Sequence, residues 1–184
     1  MEVKGTAVKT IPEFIRAKHP DKLESWLNSL PEKSRKYFIQ GISASAWYPL
    51  KDAGIIPTKL LSETIYGNIK EGSWNCGRYS ADAALTGIYK IYVKMSSPGH
   101  IIDRASRIIQ AYYQPSEVIT TGYIGKNVQV HLIKFPEIDQ VIEYRIAGWM
   151  ERALELSGCK NVEVKIAKSL TRGDIKTEFH MKWD

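Results

Sequence analysis

The sequence predicts an α+β fold: an N-terminal helical part, then an antiparallel sheet built as hairpin, helix, hairpin. Three observations predict it. Apolar residues recur at helical spacing as far as Tyr112. Beyond Pro115 the pattern changes to period-two alternation in two pairs of stretches. One strongly periodic helical stretch separates the pairs.

The elements follow in order. Val3 to Val8 reads as a short strand or the run-in to a helix. Ile11, Phe14 and Ile15 place a helix over Lys9 to Lys18 that stops at His19-Pro20. Asp21 is a candidate N-cap for Lys22 to Leu30, where Leu23, Trp26, Leu27 and Leu30 share a face. Pro31 opens the next helix, which runs to about Gly41. Trp47-Tyr48-Pro49 enters a loop, and Thr58 caps a helix that Gly67 ends. Gly72 to Gly77 reads as a loop or helix entry before a helix of small residues, Ala81, Ala83, Ala84 and Gly87.

Ser97-Pro98 starts a helix whose Ile101, Ile102, Ala105, Ile108, Ile109 and Tyr112 form one apolar face. Val118 to Ile124 and Val128 to Phe135 flank Gly125-Lys126-Asn127 as a hairpin. A helix with Ile138, Val141, Ile142, Ile146, Trp149, Ala153 and Leu154 ends at Gly158. Val162, Val164 and Ile166, then Ile175 to Trp183, give the last strand pair.

The 184 residues are 43% hydrophobic and 25% charged, which predicts one domain over 1–184 with an ordinary core. Net charge is +6, but lysines and arginines are scattered, so a solvated basic surface is expected rather than a nucleic-acid groove. No apolar run is long enough to span a membrane, and Met1 to Thr10 shows no signal-peptide core. A cytoplasmic location is the expectation. Cys76 and Cys159 lack metal-site spacing and read as reduced, buried thiols.

Catalytic and phosphate-binding motifs are absent: no G-x-S-x-G, G-x-x-x-x-G-K-[ST] or G-x-G-x-x-G occurs. The expectation is a protein that is not an enzyme. Glu151 and Glu155, at i, i+4, read as a solvated face. The aromatics offer more, because tyrosine and tryptophan combine an apolar body with one polar handle. Trp47, Tyr48, Trp74, Tyr79, Tyr89 and Tyr112 are candidates to line a ligand pocket. Arg78 either meets a ligand carboxylate or serves as a salt-bridge partner.

Taken with Val3-Lys4-Gly5-Thr6 at the start, Gly77-Arg78, the Ser97-Pro98 helix start, and the ending through Gly158, Gly173 and Phe179 to Trp183, this order resembles the H-NOX domains, which are haem-based sensors of nitric oxide and oxygen. It is similar also to their haem-free relatives: 4-vinyl-reductase-type domains, XylR-type sensor domains and TRAPP subunits. The resemblance spans nearly the whole chain in layout and looks nearest to a bacterial, haem-free branch. It implies a pocket between helices and sheet for haem or an apolar small molecule.

Haem-binding members use a proximal histidine and a Tyr-x-Ser-x-Arg string. His100 lies near the expected histidine, but the string is absent, and Val128 to Phe135 stands in its place. His100, Asp103, Arg104 and Arg107 fall on the polar face of their helix. The resemblance therefore implies a sensory domain without a cofactor that binds a small apolar or amphipathic ligand and signals to a protein partner or a second copy. A haem sensor ligated by His100, and a TRAPP-like protein scaffold, are the alternatives.

Overall fold

The structure, a computed structural model, describes residues 1–85 and 98–184. It has the predicted α+β architecture, with two antiparallel sheets. β1 (Glu2–Lys4) buries Val3 completely and is the middle strand of a three-stranded sheet with β2 (Trp47–Pro49) and β3 (Tyr113–Gln114). The sequence pattern predicts loop at β2. Its three residues are too few to show alternation, and only the partner register, Val3 opposite Tyr48, defines it.

α1 (Gly5–Val8) follows β1 directly, and α2 (Thr10–Lys18) buries Ile11, Phe14 and Ile15. Asp21 lies inside a 3₁₀ turn, Pro20–Lys22, and does not cap α3 (Leu23–Ser29). α4 (Glu32–Gln40) starts right after Pro31. The helix expected from Thr58 begins earlier: a π turn, Lys51–Ile55, leads into α5 (Ile56–Leu61), and a second, Ser62–Tyr66, ends at Gly67 with φ of 60°. Thr58 is therefore interior and fully buried.

Gly72 to Gly77, expected as a loop or helix entry, lies wholly inside α6 (Ile69–Leu85). Those glycines do not break the helix; they let other backbones approach it. A Cβ on Gly77 would lie 2.1 Å from the carbonyl oxygen of Arg145, and one on Gly72 would lie 2.5 Å from Cα of Ser62. The contact is reciprocal: a Cβ on Gly148 would lie 2.2 Å from the carbonyl oxygen of Trp74.

α7 (Pro98–Tyr112) buries Ile102 and Ile109 and half-buries Ile108. The side chains of Ile101, Asp103 and Ala105, like Gly87 and Ser97, lie outside the described residues. Arg145 and Gly148 belong to α8 (Gln140–Leu156), so α6 and α8 cross almost backbone to backbone.

β4 (Glu117–Ile124), β5 (Asn127–Lys134), β6 (Glu163–Lys168) and β7 (Thr177–Lys182) form the second sheet, in order β4-β5-β7-β6. Alternation puts Val128, Val130, Leu132, Phe179 and Met181 in the core with the buried face of α8. Asp139 caps α8 by accepting from the Val141 N–H at 2.9 Å. Glu143, 2% exposed, clamps α8 to the β6–β7 connection. It accepts from the Ser169 hydroxyl at 2.6 Å, the Thr171 hydroxyl at 2.8 Å, and the Thr177 hydroxyl.

The other sheet face carries charge. Glu178 pairs with Lys176 at 2.9 Å, Lys168 at 3.1 Å and His180 at 3.3 Å. Hydrogen bonds from the two lysines, foremost Lys176, hold its carboxyl down at about 2. Burial, then the Lys176 ammonium, pushes His131 below its usual 6.5. Both shifts favour the fold at higher pH. The Glu178 contribution is complete above its ordinary value of 4.5 and disappears as pH falls through about 2. For His131 the unfolded chain takes up the proton first, so stability declines as pH falls through about 6.5. Melting temperature against pH is expected to show two descending steps on acidification. Glu178→Gln removes the lower step and His131→Gln the upper; curves that keep both steps in these variants contradict the assignment.

Candidate functional site

The site builds from one anomaly on α8. Val141, Ile142, Ile146 and Trp149 recur at helical spacing on its buried side, and Arg145 falls among them. Arg145 is 3% exposed. A guanidinium stays charged in a protein, and burying it without a counter-charge costs several kcal/mol. Yet among the described residues all its partners are neutral. It donates to the Thr58 hydroxyl at 3.2 Å, the Ala7 carbonyl at 3.2 Å, and the Thr10 and Ser80 hydroxyls, each at 3.4 Å. These partners come from α1, α2, α5 and α6, so one side chain of α8 ties the helical part together. The bonds are long for charge-assisted ones, which run to about 2.7–2.9 Å.

Arg145 lines an inner cavity of about 20 Å³ together with Ser80, Ile108, Tyr112, Ile146 and Trp149. That volume holds about one water. The indole N–H of Trp149, on a residue 6% exposed, has no hydrogen-bond partner among the described residues. An outer cavity of about 280 Å³, lined by Thr6, Lys9, Glu13, Ala83 and Ala84, shares Ala7, Ser80 and Tyr112 with the inner one. The Thr6 hydroxyl on its wall is a second buried group without a described partner. Burial raises the Tyr112 phenol above its ordinary value, so this shared side chain is neutral near pH 7.

The candidates named from sequence do not share one cavity. Tyr112 lines both cavities just described. Trp47 lies under the Lys4 ammonium, 4.6 Å from the ring centre. Tyr48 packs against Tyr37, and its hydroxyl accepts from the Ser43 N–H at 2.9 Å. Tyr79 packs on Phe14 in a separate apolar cluster around Trp26. Trp74 and Arg78 join an ion network on the α6–α8 seam. The Trp74 N–H donates to Glu151 at 2.8 Å, and Arg78 grips Glu155 at 2.8 and 2.9 Å and also bonds Glu151. Glu151 and Glu155 are therefore the partners of Arg78 rather than a solvated face. Tyr89 lies outside the described residues.

His100 is exposed in the first turn of α7 and is not among the residues lining either cavity. No cluster of three or more metal-ligating side chains occurs among the described residues. Nor is any described helix long and apolar enough to cross a membrane.

No family model and no curated protein matches the sequence. Solved structures do match. An Fe(II) unliganded H-NOX protein from K. algicida aligns over 98% of this chain and 96% of its own, at 9% identity and a TM-score of 0.71. The H-NOX protein from S. oneidensis in its Fe(II)NO state aligns over 98% and 99%, at 9% identity and 0.72. A structure concerned with modulating haem redox potential through porphyrin distortion aligns over 98% and 95%, at 14% and 0.66.

The chain has the H-NOX fold, as its element order suggests. At these identities the likeness is one of fold. The expectation of no cofactor is corrected by the same finding: the structures that share the fold are Fe(II) and Fe(II)NO H-NOX proteins, and they point to haem.

Proposed function

We propose that the chain is a sensory domain, without catalysis of its own, that takes a mostly apolar small molecule beside α7 and α8. The observation that carries this reading is the pair of adjoining cavities whose walls hold two buried polar groups without described partners. Buried donors are nearly always satisfied, and an unsatisfied one costs about 1–3 kcal/mol, so it marks where a bound molecule gains most. Arg145 joins α8 to four elements of the helical part, so a ligand that competes for it biases how the two parts pack. A partner protein or second copy reads that change.

Haem is the first ligand to test. Its chemistry matches the lining in part: Ile108, Ile109 and Ile146 suit an apolar ring, and Arg145 suits a propionate. Bound, it would supply an iron for a diatomic gas. The inner cavity is too small for the macrocycle without outward movement of a wall, and its described lining holds no histidine.

The test is a visible spectrum during titration with haemin, alongside calorimetry with apolar probes. A saturable Soret band, or saturable binding of an apolar probe, is expected. A Soret band lost in His100→Ala assigns that residue as axial ligand, and one that persists assigns the ligand elsewhere. Absence of binding by haemin and by every apolar probe would overturn the sensory reading.

A further inference from the structure

We infer that the pocket selects its ligand by an anionic head, a carboxylate held between the Arg145 guanidinium and the Trp149 indole N–H. The inference deepens the function proposed above and rests on it.

Two independent observations converge on one place. The first is a cation buried to 3% exposure whose described partners are all neutral. The second is a buried N–H, one helical turn further along α8, with no described partner. Both side chains line the same inner cavity. Arg145 has a planar fork of donors that matches a carboxylate. Three of the four neutral partners do not need it: the Thr10 hydroxyl already donates to the Ala7 carbonyl at 2.7 Å, and the Ser80 hydroxyl to the Cys76 carbonyl at 2.9 Å. Moving Arg145 toward an anion therefore leaves both of these bonded, and among the four partners the Thr58 hydroxyl gives up its described bond.

Size separates head from body. The inner cavity, about 20 Å³, has room for one carboxylate oxygen in place of a water. The outer cavity, about 280 Å³, is close to the lower end of the roughly 300–1,000 Å³ typical of small-molecule sites. Ala7, Ser80 and Tyr112, shared by both walls, mark where the two cavities adjoin. A molecule with a carboxylate at one end and an amphipathic body fits this division, because Thr6, Lys9, Glu13 and Ser80 line the outer cavity beside Ala83, Ala84 and Tyr112. A fatty acid supplies the carboxylate head on a simple body, and haem supplies it through its propionates.

The test uses two matched pairs: decanoate against decanol, and haemin against haemin dimethyl ester. Each is titrated by calorimetry or absorbance into the parent chain and into Arg145→Met. In at least one pair the acid binds about 10- to 100-fold more tightly than its uncharged partner, as a charged hydrogen bond predicts. Arg145→Met erases that preference, so that acid and uncharged partner bind alike. Two further variants hold the test if Arg145→Met fails to fold. Arg145→Lys keeps charge without the fork and retains part of the preference, and Trp149→Phe lowers it about 3- to 10-fold.

A preference within the decanoate pair assigns a fatty acid, and one within the haemin pair assigns haem. Equal binding of acid and uncharged partner, or a preference that survives in full in the Arg145 variants, overturns the inference and leaves the sensory reading standing. Failure of all four molecules to bind overturns the inference, and the sensory reading falls with it when every apolar probe also fails.

Discussion

Gly77→Ala is expected to lower stability by about 4 kcal/mol or more, the range of severe overpacking. The added Cβ would meet the Arg145 carbonyl oxygen at 2.1 Å, and neither partner is a flexible side-chain end. Both atoms belong to helical backbone, so α6 and α8 must separate. Gly148→Ala meets the same obstacle from the other side, 2.2 Å from the Trp74 carbonyl oxygen. Gly125 supplies the control. It sits in the β4–β5 turn with φ of 61° and nothing within 4 Å of an added Cβ. Gly125→Ala therefore costs only backbone strain, about 1 kcal/mol. Urea denaturation measures all three. If Gly77→Ala costs no more than Gly125→Ala, the helices do not cross as described. The consequence reaches the site, because Arg145 is held by the backbone that Gly77 admits.

Glu143→Ala is expected to cost about 3 kcal/mol. The carboxylate is buried beneath the β6–β7 connection and takes three hydroxyl protons, from Ser169, Thr171 and Thr177. Removing it strands at least two of those donors and leaves a void. The Thr177 hydroxyl also accepts from the Leu170 N–H at 3.1 Å, so loss of the clamp frees the connection, including the 3₁₀ turn Leu170–Arg172. Glu143→Gln keeps the shape but offers the hydroxyls only one accepting oxygen, so it costs less, about 1 kcal/mol. Hydrogen exchange of Ser169 to Gly173 reports the loosening directly. Unchanged exchange in Glu143→Ala would show that other contacts hold the turn.

The sheet half is legible in the sequence because each of its signals is local. Period-two alternation, the Gly125-Lys126-Asn127 turn and the spacing of Val141 to Leu154 each lie within one segment. The elements that differ from expectation depend on contacts distant in sequence. β2 is a strand only because β1 lies beside it, and Gly72 and Gly77 look like breakers until α8 and Ser62 arrive.

The candidate site divides the same way. Tyr112 lines the cavities, but Tyr79 turns toward the Trp26 cluster and Trp74 toward Glu151, which no single-segment pattern reveals. Arg145 carries a sequence signal that the aromatics overshadow. It stands at i+4 from Val141 and i−4 from Trp149, a charge in the middle of an apolar stripe. A buried charge on such a stripe is rare enough that the helical pattern by itself marks a site.

The most direct measurement is the nitrogen–proton NMR signal of the Trp149 indole, assigned by its loss in Trp149→Phe, during titration with decanoate or haemin dissolved to saturation. A downfield shift of this resonance that follows the binding curve is expected, as an N–H without a described partner gains an acceptor. The Trp26 indole, already donating to the Pro57 carbonyl at 3.0 Å, stays in place. A Trp149 resonance that stays fixed while either ligand saturates the protein would move the site away from Arg145 and Trp149.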